Sequence, residues 1–144
     1  MGVNLTPIMI RHIIRLEDLA GRKLAVDANN FLYQFLALIR TPEGFSLQSS
    51  DGTVTSHLAG LLFRSTRLIW DYGIPLIFVF DGKPPKLKKE ELTKRRMLRE
   101  KASAEWKEAL QKGDYAKAFS KAVTMSRLTQ PMVEDAKKLL ELLG

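Results

Sequence analysis

The stretch IPLIFVFDGKPPKLKKEELTKRR, from Ile74 to Arg96, joins an apolar run to a single acid and then to a dense series of cations. Ile74 to Phe80 is a continuous apolar segment of strand length, which is typical of a parallel strand buried on both faces. Asp81 follows this segment directly. The stretch therefore predicts a buried strand, an acid at the carboxyl end of that strand, and a basic segment beyond it.

A second segment repeats this pattern nearer the amino terminus, where the short strand Lys23–Val26 is followed directly by Asp27. Ligands of open α/β sheets bind just outside the carboxyl ends of the strands, so parallel neighbouring strands would direct Asp27 and Asp81 into one crevice. Close carboxylates repel unless a cation holds them, and oxygen ligands suit Mg²⁺ or Mn²⁺. An alternative stays open, in which each aspartate caps a turn or helix that follows it.

Helical periodicity separates the two strands and continues after the second. Apolar spacing predicts helices over residues 8–19, 31–40, 56–70, 87–112, 114–125 and 131–143. Asn29 or Asn30 is expected to cap the second of them, and residues 41–54 are expected to form a loop because they carry no period. This order predicts an α/β fold with a mostly parallel sheet flanked by helices, followed by a helical region.

The chain has 144 residues and a formal net charge of +7, and this charge is concentrated in one segment. Between Lys83 and Lys101 lie nine Lys or Arg residues and three Glu residues. Such a patch favours a polyanionic partner, although a run of charges is often only a solvated helix face. An apolar stripe of the same predicted helix repeats every four residues, at Leu98, Ala102, Trp106 and Leu110.

Composition excludes several kinds of site. The chain contains no cysteine, which excludes disulfides, a thiolate nucleophile and cysteine-ligated zinc. Its two histidines, His12 and His57, are too few for a histidine metal site, and their neighbours favour structural or surface roles. No apolar run reaches the length of about 18 residues that a transmembrane helix needs, so no membrane partner is expected.

Several segments together resemble the flap endonuclease family of structure-specific 5′ nucleases. They are VDANNFLYQFL from Val26, TSHLAGLLFRSTRL from Thr55, and YGIPLIFVFDGKPPKLKKEELTKRR from Tyr72, and the opening MGVNLTPIM is similar to archaeal members. The resemblance covers the whole chain but only the amino-terminal part of the family's chain. It implies a partial nuclease core over residues 1–96, a helical arch or cap over 97–130, and a helix over 131–144 that leads into the rest of the nuclease domain.

The resemblance implies a two-metal phosphodiesterase in which Asp27 and Asp81 are catalytic metal ligands for Mg²⁺, with Mn²⁺ as a possible substitute. It further implies that Lys88 and Arg95 act on the scissile phosphate. Tyr33 would stack on a base, with a core position as the alternative. Other DNA-binding residues are expected, from the resemblance or from the basic run, at Gly2, Arg40, Arg64, Lys83, Lys86, Lys89, Lys94 and Arg96.

The resemblance implies that the complete protein cuts branched DNA with a single-stranded 5′ flap in replication and repair. It would act near the nucleoid in the cytoplasm if archaeal, or in the nucleus if eukaryotic. In the family, further metal-binding carboxylates, a duplex-binding module and a tail for the sliding clamp follow the matched part, so this chain alone is expected to be inactive. A carboxyl-terminal half supplied as a second chain would make a split enzyme. A noncatalytic DNA-binding module and a small metal-dependent ribonuclease stay open as alternatives.

Overall fold

A computed structural model of the protein describes residues 6–82 and 89–144, with side chains at all of these except residues 89–92. Two strands, β1 (Leu24–Asp27) and β2 (Leu76–Val79), form the sheet. The helices are α1 (Ala28–Leu38), α2 (Ser56–Tyr72), α3 (Lys89–Gln111), α4 (Tyr115–Met125) and α5 (Gln130–Leu143). Most element positions predicted from periodicity are therefore confirmed to within a few residues.

The strands β1 and β2 are parallel neighbours. Leu24 lies opposite Leu76, and Asp27 lies opposite Val79. A parallel pair requires a crossover connection, which α1, the loop after it and α2 supply. The predicted α/β class and the predicted pairing of these strands are both confirmed, with a sheet that is small in the described part of the chain.

One face of this sheet is covered by helices. On that face Phe78 packs against a core formed by Leu32 of α1, Leu61 of α2 and Ala136 of α5. On the other face Ile77 and Val79 are 52% and 56% exposed. The prediction that β2 is buried on both faces is therefore wrong for this chain, because the helices that pack on the sheet in the described residues cover the face that carries Phe78.

Helix α1 begins immediately after β1, and Asp27 is its N-cap. The Asp27 Oδ1 atom accepts a hydrogen bond from the Asn30 backbone N–H at 3.0 Å. The prediction that Asn29 or Asn30 caps this helix is wrong, because Asp27 already offers an acceptor oxygen where the strand ends. The capping alternative for Asp27 is confirmed.

The helices α1 and α2 approach each other closely at Gly60, which lies inside α2. A Cβ atom added at Gly60 would lie 2.1 Å from Phe35 Cγ of α1, closer than any real contact. The absence of a side chain at Gly60 therefore allows the contact that places both helices on the same face of the sheet.

The segment before β1 is not the helix predicted over residues 8–19. It contains two short 3₁₀ turns, Thr6–Ile8 and Leu16–Leu19, joined by residues without regular structure. Ile8, Ile10 and Ile13 are almost fully exposed. An amphipathic helix of this length is marginal unless its apolar face is packed, and the described residues offer that face no partner.

The helices α3 and α4 form a hairpin, joined by a short turn in which Asp114 caps α4. Ala102 and Ala109 of α3 are buried, as are Ala118 and Ala122 of α4, so small residues let the helices pack closely. The predicted apolar stripe of α3 is confirmed at Ala102 but not at Leu98, which is 61% exposed. Leu98 lies on the amino-terminal side of the part of α3 that packs against α4. No helix of the described residues is long and apolar enough to cross a membrane.

Candidate functional site

Asp27 and Asp81 lie at the carboxyl ends of the two adjacent strands. Asp27 is the last residue of β1, opposite Val79, and Asp81 follows Val79 by two positions. Phe80 is half-buried like Phe78 and Asp81 is exposed like Val79, so the alternation of β2 continues to Asp81 and puts it on the side of the sheet that carries Asp27 and Val79. Strand spacing and rise together put the two aspartate Cα atoms about 8 Å apart. Both aspartates are exposed. The register supports the prediction that they lie beside one another at one edge of the sheet.

The donor chemistry of these two carboxylates is the kind that a hard divalent cation takes. The Oδ1 atom of Asp27 accepts the capping hydrogen bond, and Oδ2 accepts none from the described residues. Mg²⁺ usually takes only one or two protein carboxylates and completes its shell with water and substrate phosphate. No group of three or more His, Cys, Asp or Glu side chains that could hold a metal occurs within residues 6–82 and 93–144. A second ion would therefore need ligands beyond Asp27 and Asp81.

The basic segment, from Lys83 to Lys101, follows Asp81 in the chain. The predicted site residues Gly2, Lys83, Lys86 and Lys88 lie outside the described residues, as does the side chain of Lys89.

On the described part of α3, Lys94, Arg95 and Arg96 are exposed. Arg96 pairs with Glu100 at 2.9 Å, with both side chains mostly in solvent. Exposed pairs of this kind contribute only about 0–1 kcal/mol, so Arg96 can exchange its carboxylate partner for a phosphate.

Tyr33 and Arg64 present side chains to solvent from α1 and α2. Tyr33 is 39% exposed, whereas its neighbour Leu32 is buried, so the alternative that Tyr33 is a core residue is wrong. Arg64 is exposed on α2. Both residues therefore have the accessibility that a contact to DNA requires, while their contacts to DNA stay predictions.

Arg40 is placed differently, because its guanidinium points into the protein. Its Nε donates to Ala37 O at 3.1 Å, Nη1 to Gly44 O at 2.7 Å, and Nη2 to Ser126 Oγ at 2.8 Å. Desolvation by burial lowers the pKa of Arg40, and the neighbouring Tyr33 opposes this shift. Nothing in the sequence indicated Ser126 as a partner of Arg40, because the two residues are 86 positions apart in the chain.

His57 is buried near the start of α2 and faces α5. Neither ring nitrogen makes a well-formed hydrogen bond to the described residues. Burial lowers the pKa of His57 from its ordinary 6.5, while the Met132 backbone and the Asp135 carboxylate act in the opposite direction. The predicted structural role of His57 agrees with this position between two packed helices.

Residues 1–102 match the family described as the XPG N-terminal domain. This chain belongs to that family. Among relatives of this XPG N-terminal domain, flap endonuclease 1 of Pyrococcus furiosus is 49% identical over 144 residues, which are 100% of this chain and 42% of the relative. Flap endonuclease 1 of Methanothermobacter thermautotrophicus is 48% identical over 144 residues, covering 100% of this chain and 44% of the relative.

Solved structures show the same similarity for this XPG N-terminal domain. Flap endonuclease-1 from Methanococcus jannaschii superposes with a TM-score of 0.64 at 42% identity, over 99% of this chain and 45% of that one. The catalytic core of Rad2 in complex with DNA substrate superposes with a TM-score of 0.53 at 27% identity, over 89% of this chain and 31% of that one. The predicted resemblance to archaeal flap endonucleases is confirmed, and the chain spans less than half the length of these relatives.

Proposed function

We propose that this chain is the amino-terminal portion of a structure-specific 5′ flap endonuclease that also acts as a 5′–3′ exonuclease on DNA. The observation that carries the proposal is the parallel pairing of β1 with β2, in which Asp27 lies opposite Val79, two residues before Asp81. Near-half identity to flap endonucleases supports a nuclease assignment for these carboxylates. In the complete protein, replication and repair intermediates with a single-stranded 5′ flap would be the substrates.

Asp27 and Asp81 would hold Mg²⁺, or Mn²⁺ in its place, through their exposed carboxylate oxygens. A bound divalent ion polarises a phosphodiester and lowers the pKa of a bound water, which is the chemistry that phosphodiester hydrolysis needs. The two-metal arrangement expected from the family would draw its remaining ligands from polypeptide equivalent to the part of the relatives that this chain does not cover. Asp27 would keep its second task as the cap of α1, which fixes its side chain in place.

The cations of the basic segment would hold the phosphodiester. Lys88 and Arg95 would contact the scissile phosphate and stabilise the negative charge that develops in the transition state. The exposed ring of Tyr33 offers a stacking surface worth about 1–3 kcal/mol per base. Phosphate contacts along the rest of the DNA would come from Gly2, Arg64, Lys83, Lys86, Lys89, Lys94 and Arg96.

The regions of the chain would divide these tasks. Residues 1–96 would form the nuclease core, residues 97–130 an arch or cap for the single strand, and residues 131–144 a helix leading to further nuclease elements. Contact with a sliding clamp and a location with the nucleoid in the cytoplasm would belong to the complete protein. A split enzyme, with a second chain that completes the metal site, is consistent with the same geometry.

A cleavage assay with a labelled 5′-flap substrate and Mg²⁺ tests this proposal. We expect no cleavage above background from the 144-residue chain. Cleavage should appear when the part of the Pyrococcus furiosus relative beyond the matched region is added in trans, and D81N should abolish it. Robust cleavage by the rigorously purified chain alone would show that the metal site is misassigned.

A noncatalytic DNA-binding module is the second candidate, favoured by the exposed cations of α3 and by the absence of a metal-holding group of three or more His, Cys, Asp or Glu side chains within residues 6–82 and 93–144. This candidate predicts flap binding that D27N and D81N leave unchanged, with no cleavage after addition of the second polypeptide. The flap endonuclease proposal predicts restored cleavage, so the same assay separates the two.

A further inference from the structure

Phe80 is the residue between the end of β2 and Asp81. The pairing of β2 with β1 ends at Val79, so Phe80 lies beyond the last paired position. Its half-buried side chain packs against the core on the helix-covered face of the sheet. Packing of the Phe80 side chain, rather than strand pairing, therefore holds the chain at the point where Asp81 follows.

Lys137 of α5 lies over the ring of Phe80. Its Nζ atom is 4.9 Å from the ring centroid, within the distance of about 6 Å at which a cation is attracted to the face of an aromatic ring. The neighbouring Lys138 is also exposed but is arranged differently, because it pairs with Asp135 on the same helix at 3.5 Å. Lys137 therefore connects α5 to the end of β2, whereas Lys138 makes a contact within α5.

The two phenylalanines on the helix-covered face at this end of β2 are held by different helices. Phe78 packs edge-on against Phe31 of α1, with ring centroids 5.8 Å apart. Phe80 is held by α5 through Lys137. Phe78 lies within the paired part of β2, so strand pairing also fixes its backbone, whereas Phe80 lies outside it. The direction of the chain at Asp81 therefore depends on the contact between Phe80 and α5.

We propose that Lys137 is a positioning residue for the metal site, because it holds Phe80 against α5 and so fixes the direction in which Asp81 leaves the sheet. The inference rests on the proposed function where it concerns a metal ion. Side chains alternate along extended chain, so a fixed Phe80 on the helix-covered face directs Asp81 to the opposite side, which carries Asp27. The ammonium of Lys137 is itself a cation, so it acts on the metal site through Phe80 and not as a ligand.

A positioning role and a direct effect of charge change the metal affinity in opposite directions. A lysine ammonium repels a divalent cation, so its removal leaves metal binding unchanged or strengthens it if charge alone matters. Its removal weakens metal binding if the ammonium is needed to hold Phe80 and, through it, Asp81. The sign of the change in affinity therefore separates the two effects.

Binding of Mn²⁺ to the 144-residue chain, followed through the electron paramagnetic resonance signal of free Mn²⁺, tests the proposal. K137M keeps an unbranched side chain over the ring and removes the charge, while K137R keeps a cation there. We expect K137M to weaken Mn²⁺ binding about two- to fivefold, the effect of one exposed cation–π contact, and K137R to bind Mn²⁺ like the wild type. K138M is the matched control, because it removes the same charge at the next position and should not weaken binding.

The order of the backbone at Asp81 gives a second measurement, which needs no metal. In ¹⁵N relaxation experiments, the order parameter of the Asp81 amide should be close to the rigid value of about 0.85 in the wild type and in K138M, and below about 0.6 in K137M. F80L should lower it as well. The double variant K137M/F80L should bind Mn²⁺ no more weakly than F80L, because Lys137 acts through that ring.

Unchanged or tighter Mn²⁺ binding by K137M, or equal weakening in K138M, would overturn the positioning role. An Asp81 order parameter that K137M leaves at the wild-type value would overturn it as well. If the wild-type chain binds no Mn²⁺, the proposed function fails at its metal site. The order parameters of K137M and K138M then still decide whether Lys137 fixes the end of β2.

Discussion

Replacement of Asp27 separates its two tasks, capping α1 and binding a cation. The cap is one hydrogen bond of 3.0 Å from Asn30 N–H to Oδ1, and removing such an acceptor costs about 1 kcal/mol. Asn is as good a cap as Asp, so D27N keeps this bond. The D27N variant loses about 0.3–1 kcal/mol of stabilisation, because a negative charge at the N-terminus of a helix is favourable. It also gains about 0.5 kcal/mol, because the repulsion from Asp81 at about 8 Å in water disappears.

We therefore expect D27A to lower the free energy of unfolding in metal-free buffer by about 1 kcal/mol, and D27N to change it by less than about 0.5 kcal/mol. Urea denaturation with and without Mg²⁺ measures both tasks. For the wild type, Mg²⁺ at ten times its dissociation constant should add about 1.4 kcal/mol of stability, which both variants should lack. Retention of the Mg²⁺ effect by D27N would refute Asp27 as a ligand, and a loss in D27N equal to that in D27A would refute the cap argument.

Three further predictions follow from packing, burial and charge. G60A should destabilise the chain by about 1–2 kcal/mol in urea denaturation, because overpacking against Phe35 outweighs the helix propensity gained; a more stable G60A would contradict the close contact of α1 and α2. Burial lowers the pKa of His57 in the folded chain, so the unfolded chain binds the proton more readily. The free energy of unfolding should therefore be highest above pH 6.5 and should decrease as the pH drops below 6.5. The decrease should be smaller in H57Q. An unchanged pH profile in H57Q would exclude His57 as the cause. In an enzyme completed in trans, K88A and R95A should slow single-turnover cleavage far more than they weaken flap binding, and equal losses would reduce both residues to positioning roles.

Much of the fold follows from local sequence patterns, which can be interpreted without knowing what each segment contacts. The strand β2 and the helix α2 are predicted by a short apolar run and by helical periodicity, and both occur within a few residues of the predicted bounds. The predicted helix over residues 8–19 shows where this reasoning fails. Its apolar residues satisfy the period, yet they are exposed, because an apolar face makes a helix stable only when another surface covers it.

The sequence by itself determined which acids lie at strand ends, where the cations are concentrated, and which family the chain resembles. The tertiary structure decided what those residues face. It makes Asp27 the cap of α1, covers the Phe78 face of the sheet while exposing Ile77 and Val79, and turns Arg40 toward Ser126, a residue 86 positions away in the chain. The physical reason is that periodicity specifies which side of an element is apolar, whereas the partner of a hydrogen-bond donor or of a helix face depends on contacts between residues far apart in sequence.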